Sequence, residues 1–163
     1  MPKSRICILD AGPLIHLDEL GALGLLVEIG RIFTTETVAG EVEKHRPGAI
    51  ERSEVVVFRD VETTSMEVAN AVARYDLQAG EMSALAWGDA FGIDLFVCDD
   101  SDARTAAAVL GHPSIGTIGV ILENLRAGRM EKSAAIQLLE AIPERSTLHV
   151  QRRFLDKTIA RIR

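Results

Sequence analysis

The sequence predicts an α/β fold: a three-layer α/β/α sandwich built on a central parallel sheet. Three observations carry this. Short apolar runs such as "ICIL" and "LFV" stand among turn formers, as strands buried on both faces do. Segments of helical period separate these runs, and strands joined by helical crossovers pair in parallel. The two clearest strands each run into an acid, Asp10 and Asp99, and ligands gather at the carboxyl ends of parallel strands.

In chain order, apolar period and punctuation give a strand at 5–9 and a helix within 12–29 that Gly21 interrupts. A strand at 32–34 and a helix at 36–45 follow, then a turn at Pro47-Gly48 and the strand "EVVVF" at 54–58. Next come helices at 65–74 and 81–91, a strand at 93–97, a helix at 101–110 and a short strand near 114–116. Helices at 117–127, 131–141 and 151–162 complete the chain. No internal repeat, low-complexity tract or long linker divides it, so residues 1–163 read as a single domain.

Composition narrows the class. A chain of 163 residues, 47% of them hydrophobic, has a core and is not disordered. No run approaches the length of a membrane span, and "MPKSRICILDAG" lacks the apolar core and small-residue cleavage site of a signal peptide. The expectation is a cytoplasmic protein with no membrane partner. Cys7 and Cys98 fall inside predicted strands without further ligands at metal spacing, and read as reduced, buried small hydrophobes. His16, His45, His112 and His149 are scattered and form no zinc pattern.

Formal charge is −6, which by itself argues against a polyanionic partner. Residues 144–163, however, hold six basic residues against Glu144 and Asp156, a local +4 that leaves −10 on the rest. In the last helix, Phe154, Leu155, Ile159 and Ile162 fall near one face, with Arg152, Arg153, Lys157, Arg161 and Arg163 around the remainder. Such a helix either packs its stripe with its charges in water, or turns the charges toward phosphate.

Helix polarity sorts the acids. In an αβα layer the helix N-termini and strand C-termini share one edge of the sheet. Asp10 and Asp99 lie there because they follow strands, and Glu81 joins them as the first residue of helix 81–91, which carries Asp89 to the far end. In helix 36–45, Val38 and Val42 mark the buried face; at ~100° per residue Glu41 falls beside it while Glu36 and Glu43 point away. A carboxylate next to packed surface is costly without a cation.

Asp10, Glu41, Glu81 and Asp99 therefore converge from four segments. Clustered carboxylates resist ionisation together, and such a set points to a bound divalent ion. All-oxygen donors favour Mg²⁺ or Mn²⁺ over zinc, and these ions suit phosphodiester hydrolysis. Taken singly, each acid has a plainer role. Asp10 and Asp99 read equally as helix N-caps and Glu81 as a first-turn acid, while Asp100 is a cap and Asp102 a first-turn residue with only a supporting part at a metal.

The pieces "ILDAGPLIHLDELGALGLL", "TTETVAGEV", "LQAGEMSALAWG", "LFVCDDSDAR" and "IGTIGVILENLRAGRM", in that order, resemble the PIN-domain ribonucleases, most closely a branch related to the VapC-type toxins of toxin–antitoxin pairs. The resemblance spans Ile6 to Met130, leaving 131–163 as a C-terminal helical extension. It implies a PIN-like sheet between helical layers and a metal carried by Asp10, Glu41, Glu81 and Asp99. Many toxin-type members have Asp where this chain has Glu81, a longer arm that bears on metal placement. The implied partner is RNA, cut to leave a 5′-phosphate and 3′-hydroxyl, with an antitoxin protein and a homodimer as further partners the resemblance allows. Thr117 reads as an N-cap or as a hydroxyl orienting water or phosphate, and Arg104 as an acid's ion-pair partner or a phosphate contact.

Two other functions compete with a Mg²⁺- or Mn²⁺-dependent endoribonuclease. One is an inactive PIN-like binding module, against which the intact acidic set speaks. The other is a phosphoacceptor receiver, which needs a lysine at a late strand end; after "VCDD" only Lys132 and Lys157 remain, both in predicted helices.

Overall fold

In the computed structural model, which describes residues 4–163, five strands form one sheet: β1 (Ile6–Leu9), β2 (Arg31–Thr35), β3 (Val56–Phe58), β4 (Leu95–Val97) and β5 (Ser114–Ile115). All pairings are parallel and the order is β3-β2-β1-β4-β5. The flanking helices are α1 (Ala11–Glu19), α2 (Gly24–Val27), α3 (Glu36–His45), α4 (Ala49–Ser53), α5 (Met66–Tyr75), α6 (Ala79–Phe91), α7 (Ser101–Val109), α8 (Thr117–Arg126), α9 (Lys132–Arg145) and α10 (Arg152–Ile162). This is the predicted sandwich. No helix among the described residues is long and apolar enough to cross a membrane.

Strand order locates the site. The chain lays down β1, β2 and β3 in one direction, then returns past them to place β4 and β5 on the other side of β1. The direction of winding thus reverses between β1 and β4, and loops leaving their carboxyl ends diverge to open a crevice there. Register brings Leu9 beside Val97, and Asp10 donates its backbone N–H to the Val97 carbonyl at 3.0 Å. The segments bearing Asp10 and Asp99 are therefore neighbours.

The main core holds the central strands: Ile8, Leu9, Phe96 and Val97 are fully buried against Leu14, Leu17, Val38, Leu85 and Ala106. A second apolar cluster joins Leu20 and Ile121 to Leu139 and Ile142 of α9 and to Leu155, Ile159 and Ile162 of α10. The C-terminal extension is thereby packed onto α8 and the end of α1.

α1 reaches several parts of the molecule in nine residues. His16 meets Asp99. Asp18 accepts Arg46 at 2.7 Å and Arg52 at 2.9 Å, and these guanidinium groups hold its carboxyl below the ordinary range, Arg52 foremost. Glu19 accepts the N–H and hydroxyl of Thr147, tying down the extended segment between α9 and α10.

Four local expectations change. Helix α4 occupies 49–53, where only a turn was expected after Gly48; five residues are too few for period to register. Helix α6 begins at Ala79 rather than at Glu81, which makes Glu81 its third residue. Helix α9 runs through Pro143 to Arg145, because burial of Ile142 outweighs the hydrogen bond that proline removes. In α10 the buried stripe is Leu155, Thr158, Ile159 and Ile162, a strict i, i+3, i+4, i+7 series, so Phe154 lies off it and is 55% exposed.

Candidate metal centre

Asp10 follows β1 directly. It occupies the N-cap position of α1 with extended backbone, but its carboxylate caps nothing. It is buried, and the Cys98 thiol is its side-chain partner, with Sγ 3.3 Å from Oδ2. Burial pushes its carboxyl up to about 6 against the opposing pull of the Ala11 N–H and Cys98, with Glu41 and Asp99 adding repulsion.

Glu81 arrives from the first turn of α6, where Oε2 accepts the Gln78 backbone N–H at 2.8 Å. Its carboxyl is pushed up to about 7, by burial first and then by the charges of Asp10, Asp100 and Glu41. Asp10, Glu81 and Cys98 each offer one donor atom within 4.8 Å of the other two.

Glu41 stands beside this group on α3. A Cβ placed on Gly80 would come within 2.6 Å of Glu41 Oε2, so the bare glycine lets the carboxylate lie against the start of α6. Thr35 fastens the two helices: its hydroxyl caps α3 at the Val38 N–H and meets Ser83 Oγ of α6 at 2.5 Å. Among the described residues no hydrogen-bond or ion-pair partner serves the Glu41 carboxylate.

Asp99 has a different environment. His16 Nδ1 lies 2.6 Å from Oδ2, and Thr117 donates its hydroxyl to Oδ2 at 2.7 Å and its backbone N–H to Oδ1 at 2.6 Å. Burial acts to raise the carboxyl, but His16 and the two Thr117 donors outweigh it and hold Asp99 below the ordinary range. An ionised carboxylate only accepts, so Nδ1 of His16 carries the proton.

Gly116, not Thr117, is the N-cap of α8; Thr117 is fully buried and donates its hydroxyl to Asp99. Gly116 itself is needed, because a Cβ there would fall 2.7 Å from Asp99 Oδ1. Asp100 caps α7 at the Ala103 N–H, 2.8 Å away, and Asp102 is an exposed first-turn residue. Among the described residues Arg104 pairs with no acid: Nη1 donates to the carbonyls of Cys98 and Asp99 at 3.0 and 2.7 Å, bracing the turn that carries both. Asp89 is exposed and lines a hollow with Glu67 and Arg74 of α5.

His16 and Cys98 are the two groups at this edge to which the sequence assigned no role. Cys98 is a buried free thiol as expected, yet it faces Asp10 instead of merely filling space. Its signal lay in register: with Leu9 opposite Val97, the next pair is Asp10 and Cys98. His16 lies one turn beyond Gly12, whose missing Cβ would stand 3.3 Å from Asp99 Oδ2 and 3.5 Å from the His16 ring.

Over residues 6–163 the sequence matches the family model of the PIN domain. The chain belongs to the PIN-domain family. The match runs beyond Met130 and takes in α9 and α10, so the extension is part of what the family model describes. No curated protein matches the chain. PIN domains are nuclease-like folds that typically bind divalent metal, and the acidic edge between β1 and β4 is where this PIN domain has donors for one.

Proposed function

We propose that this PIN domain is a Mg²⁺- or Mn²⁺-dependent endoribonuclease. The Asp10–Glu81 pair carries the reading: two carboxyls at one strand-end edge, raised to about 6 and about 7, with no cationic side chain paired to either among the described residues. The donor set fits a hard ion. Burial and the charge of Asp10 push the Cys98 thiol up, and the carboxylate oxygens of Asp10, Glu81 and Glu41 suit Mg²⁺ or Mn²⁺ over softer ions.

A bound ion would supply activation of water and stabilisation of charge on the phosphoryl oxygens. Asp10, at the N-cap of α1, and Glu81, in the first turn of α6, would hold it, and Glu41 would add negative charge beside them. Asp99, kept ionised, is a positioning residue here: it fixes His16 on one side and the first turn of α8 on the other. Arg104 sets the turn between Cys98 and Asp100 and also lines the cleft next to Asp99, where a phosphate would approach. A toxin role beside an antitoxin is a narrower form of this reading and rests on the motif resemblance alone.

Incubation of the purified protein with a mixed RNA pool, in Mn²⁺, in Mg²⁺ and in chelator, tests it. Cleavage with either ion, none with chelator and none by Asp10→Asn is the expected result. RNA left intact under all conditions would overturn the ribonuclease reading.

A further inference from the structure

Phe154 does not pack in the core, and it borders a cleft of about 510 Å³ that opens beside Asp99. One wall of this cleft is Asp99, Arg104 and Gly116; the other is the extended segment from Leu148 to Gln151 with Phe154 at the start of α10. Along that segment Leu148 and Val150 are half-buried, whereas His149 and Gln151 are exposed. Ile118 and Leu122 of α8 join Leu148, Val150 and Phe154 in giving the cleft apolar lining, beside the polar groups of Asp99, Arg104, His149 and Gln151.

From this geometry we infer that the cleft is a subsite for one unpaired base of a single-stranded RNA, next to the phosphate held at the acidic edge, with Phe154 as its stacking surface. The inference rests on the ribonuclease function proposed for this edge. A nucleobase has two apolar faces and a polar edge, and that is the chemistry the cleft presents. An exposed phenyl ring bordering a cleft is a stacking platform that tolerates any base, while His149 and Gln151 at the rim give a basis for preference. Continuity with the site is built in, because Asp99 belongs to both. Arg152 and Arg153 directly precede Phe154 and are exposed, so basic charge stands at the start of α10 beside the cleft.

Two experiments on the full chain test this. In the first, 4-thiouridine is placed at successive positions of a short single-stranded RNA and irradiated with the Asp10→Asn protein, which binds without cutting. Crosslinks from one position should map to residues 148–154. In the second, cleavage of a randomised single-stranded pool is compared among the parent, Phe154→Ala, Phe154→Trp and, as a distant exposed aromatic, Phe91→Ala. Phe154→Ala should raise KM roughly 10- to 100-fold with kcat little changed and erase base preference at one position beside the cut. Phe154→Trp should restore both, Phe91→Ala should match the parent, and all four should show the same metal-induced rise in Tm. If the parent cuts RNA while Phe154→Ala leaves KM and preference unchanged, or crosslinks fall outside 148–154, the base subsite is overturned and the nuclease reading stands. If the parent does not cut RNA and the Asp10→Asn protein does not crosslink to it, both fall.

Discussion

His16 and Asp99, separated by 83 residues, meet at 2.6 Å across the crevice between β1 and β4. Both side chains are largely buried, so the contact is shielded from water. Because Asp99 is held below the ordinary carboxyl range, its stabilisation is present above the unfolded value of 3.8 and is lost as pH falls through the folded value. Removing the imidazole with His16→Ala should cost about 1.5–3 kcal/mol at pH 7, the scale of a hydrogen bond to a charged group. In denaturant titrations this deficit should narrow below pH 4; a deficit constant from pH 3 to pH 7 would show that the lost packing, not the Asp99 charge, is responsible.

Asp10 and Glu81 give the opposite pH dependence. Their carboxyls are raised in the folded state to about 6 and about 7. The stability they contribute is fully present below the unfolded values near 4 and is lost as pH rises through 6 to 7. In chelator the parent should therefore be less stable at pH 8 than at pH 5, and Asp10→Asn should recover on the order of 3 kcal/mol at pH 8. Urea denaturation at the two pH values measures this directly.

A divalent ion should remove that penalty by binding the folded state. Millimolar Mg²⁺ or Mn²⁺ should raise Tm at pH 8, and Asp10→Asn should weaken the shift. A melting curve indifferent to metal would exclude ion binding at this edge.

Helix polarity ranks the acids of α6. Glu81→Gln keeps an oxygen for the Gln78 N–H but loses the charge at the site, whereas Asp89 is exposed near the opposite end of the helix. Glu81→Gln should lower RNA cleavage at least roughly 100-fold, the upper end of what an outer-shell partner of a metal costs, and Asp89→Asn should not. Equal losses would place the active edge elsewhere.

The charges of α10 make a separate prediction. Arg153 and Lys157 are exposed and Arg152 is engaged by Asp156, four residues along. Replacing Arg152, Arg153 and Lys157 by Gln should weaken RNA binding and flatten the dependence of log affinity on log salt by about 2, at ~0.7 per phosphate contact. Metal affinity should be unchanged, and an unaltered salt slope would leave these residues as solvated surface.

Element type, strand direction and the edge at which Asp10, Glu81 and Asp99 gather were legible because they follow from period and helix polarity, which neighbouring residues encode. Glu41 was placed by its angle to Val38 and Val42, and it does lie by the site. Division of labour among the acids was not legible. It depends on donors brought from remote segments: His16 and Thr117 claim Asp99, while Asp10 is left with a thiol. Phe154 shows the same limit at smaller scale. A stripe of four apolar residues fits several angular choices, and only contact with Leu139 and Ile142 selects the one that leaves the ring outside.

In α1, the distances along the axis matter as much as the residues. Asp10 at its head, His16 toward its end, then Asp18 and Glu19 engage, in turn, the Cys98 thiol, Asp99, the arginines of the α3–α4 region and Thr147. Each added residue turns the rest of the helix by about 100° and advances it by about 1.5 Å. A residue inserted between Asp10 and His16 would swing His16, Asp18 and Glu19 off their partners at once, although no side chain had been changed. Divergence in this segment can therefore proceed by exchange of letters but not by change of length, and α1 acts as a ruler against which the acidic edge, the arginine clasp and the C-terminal strap are all set.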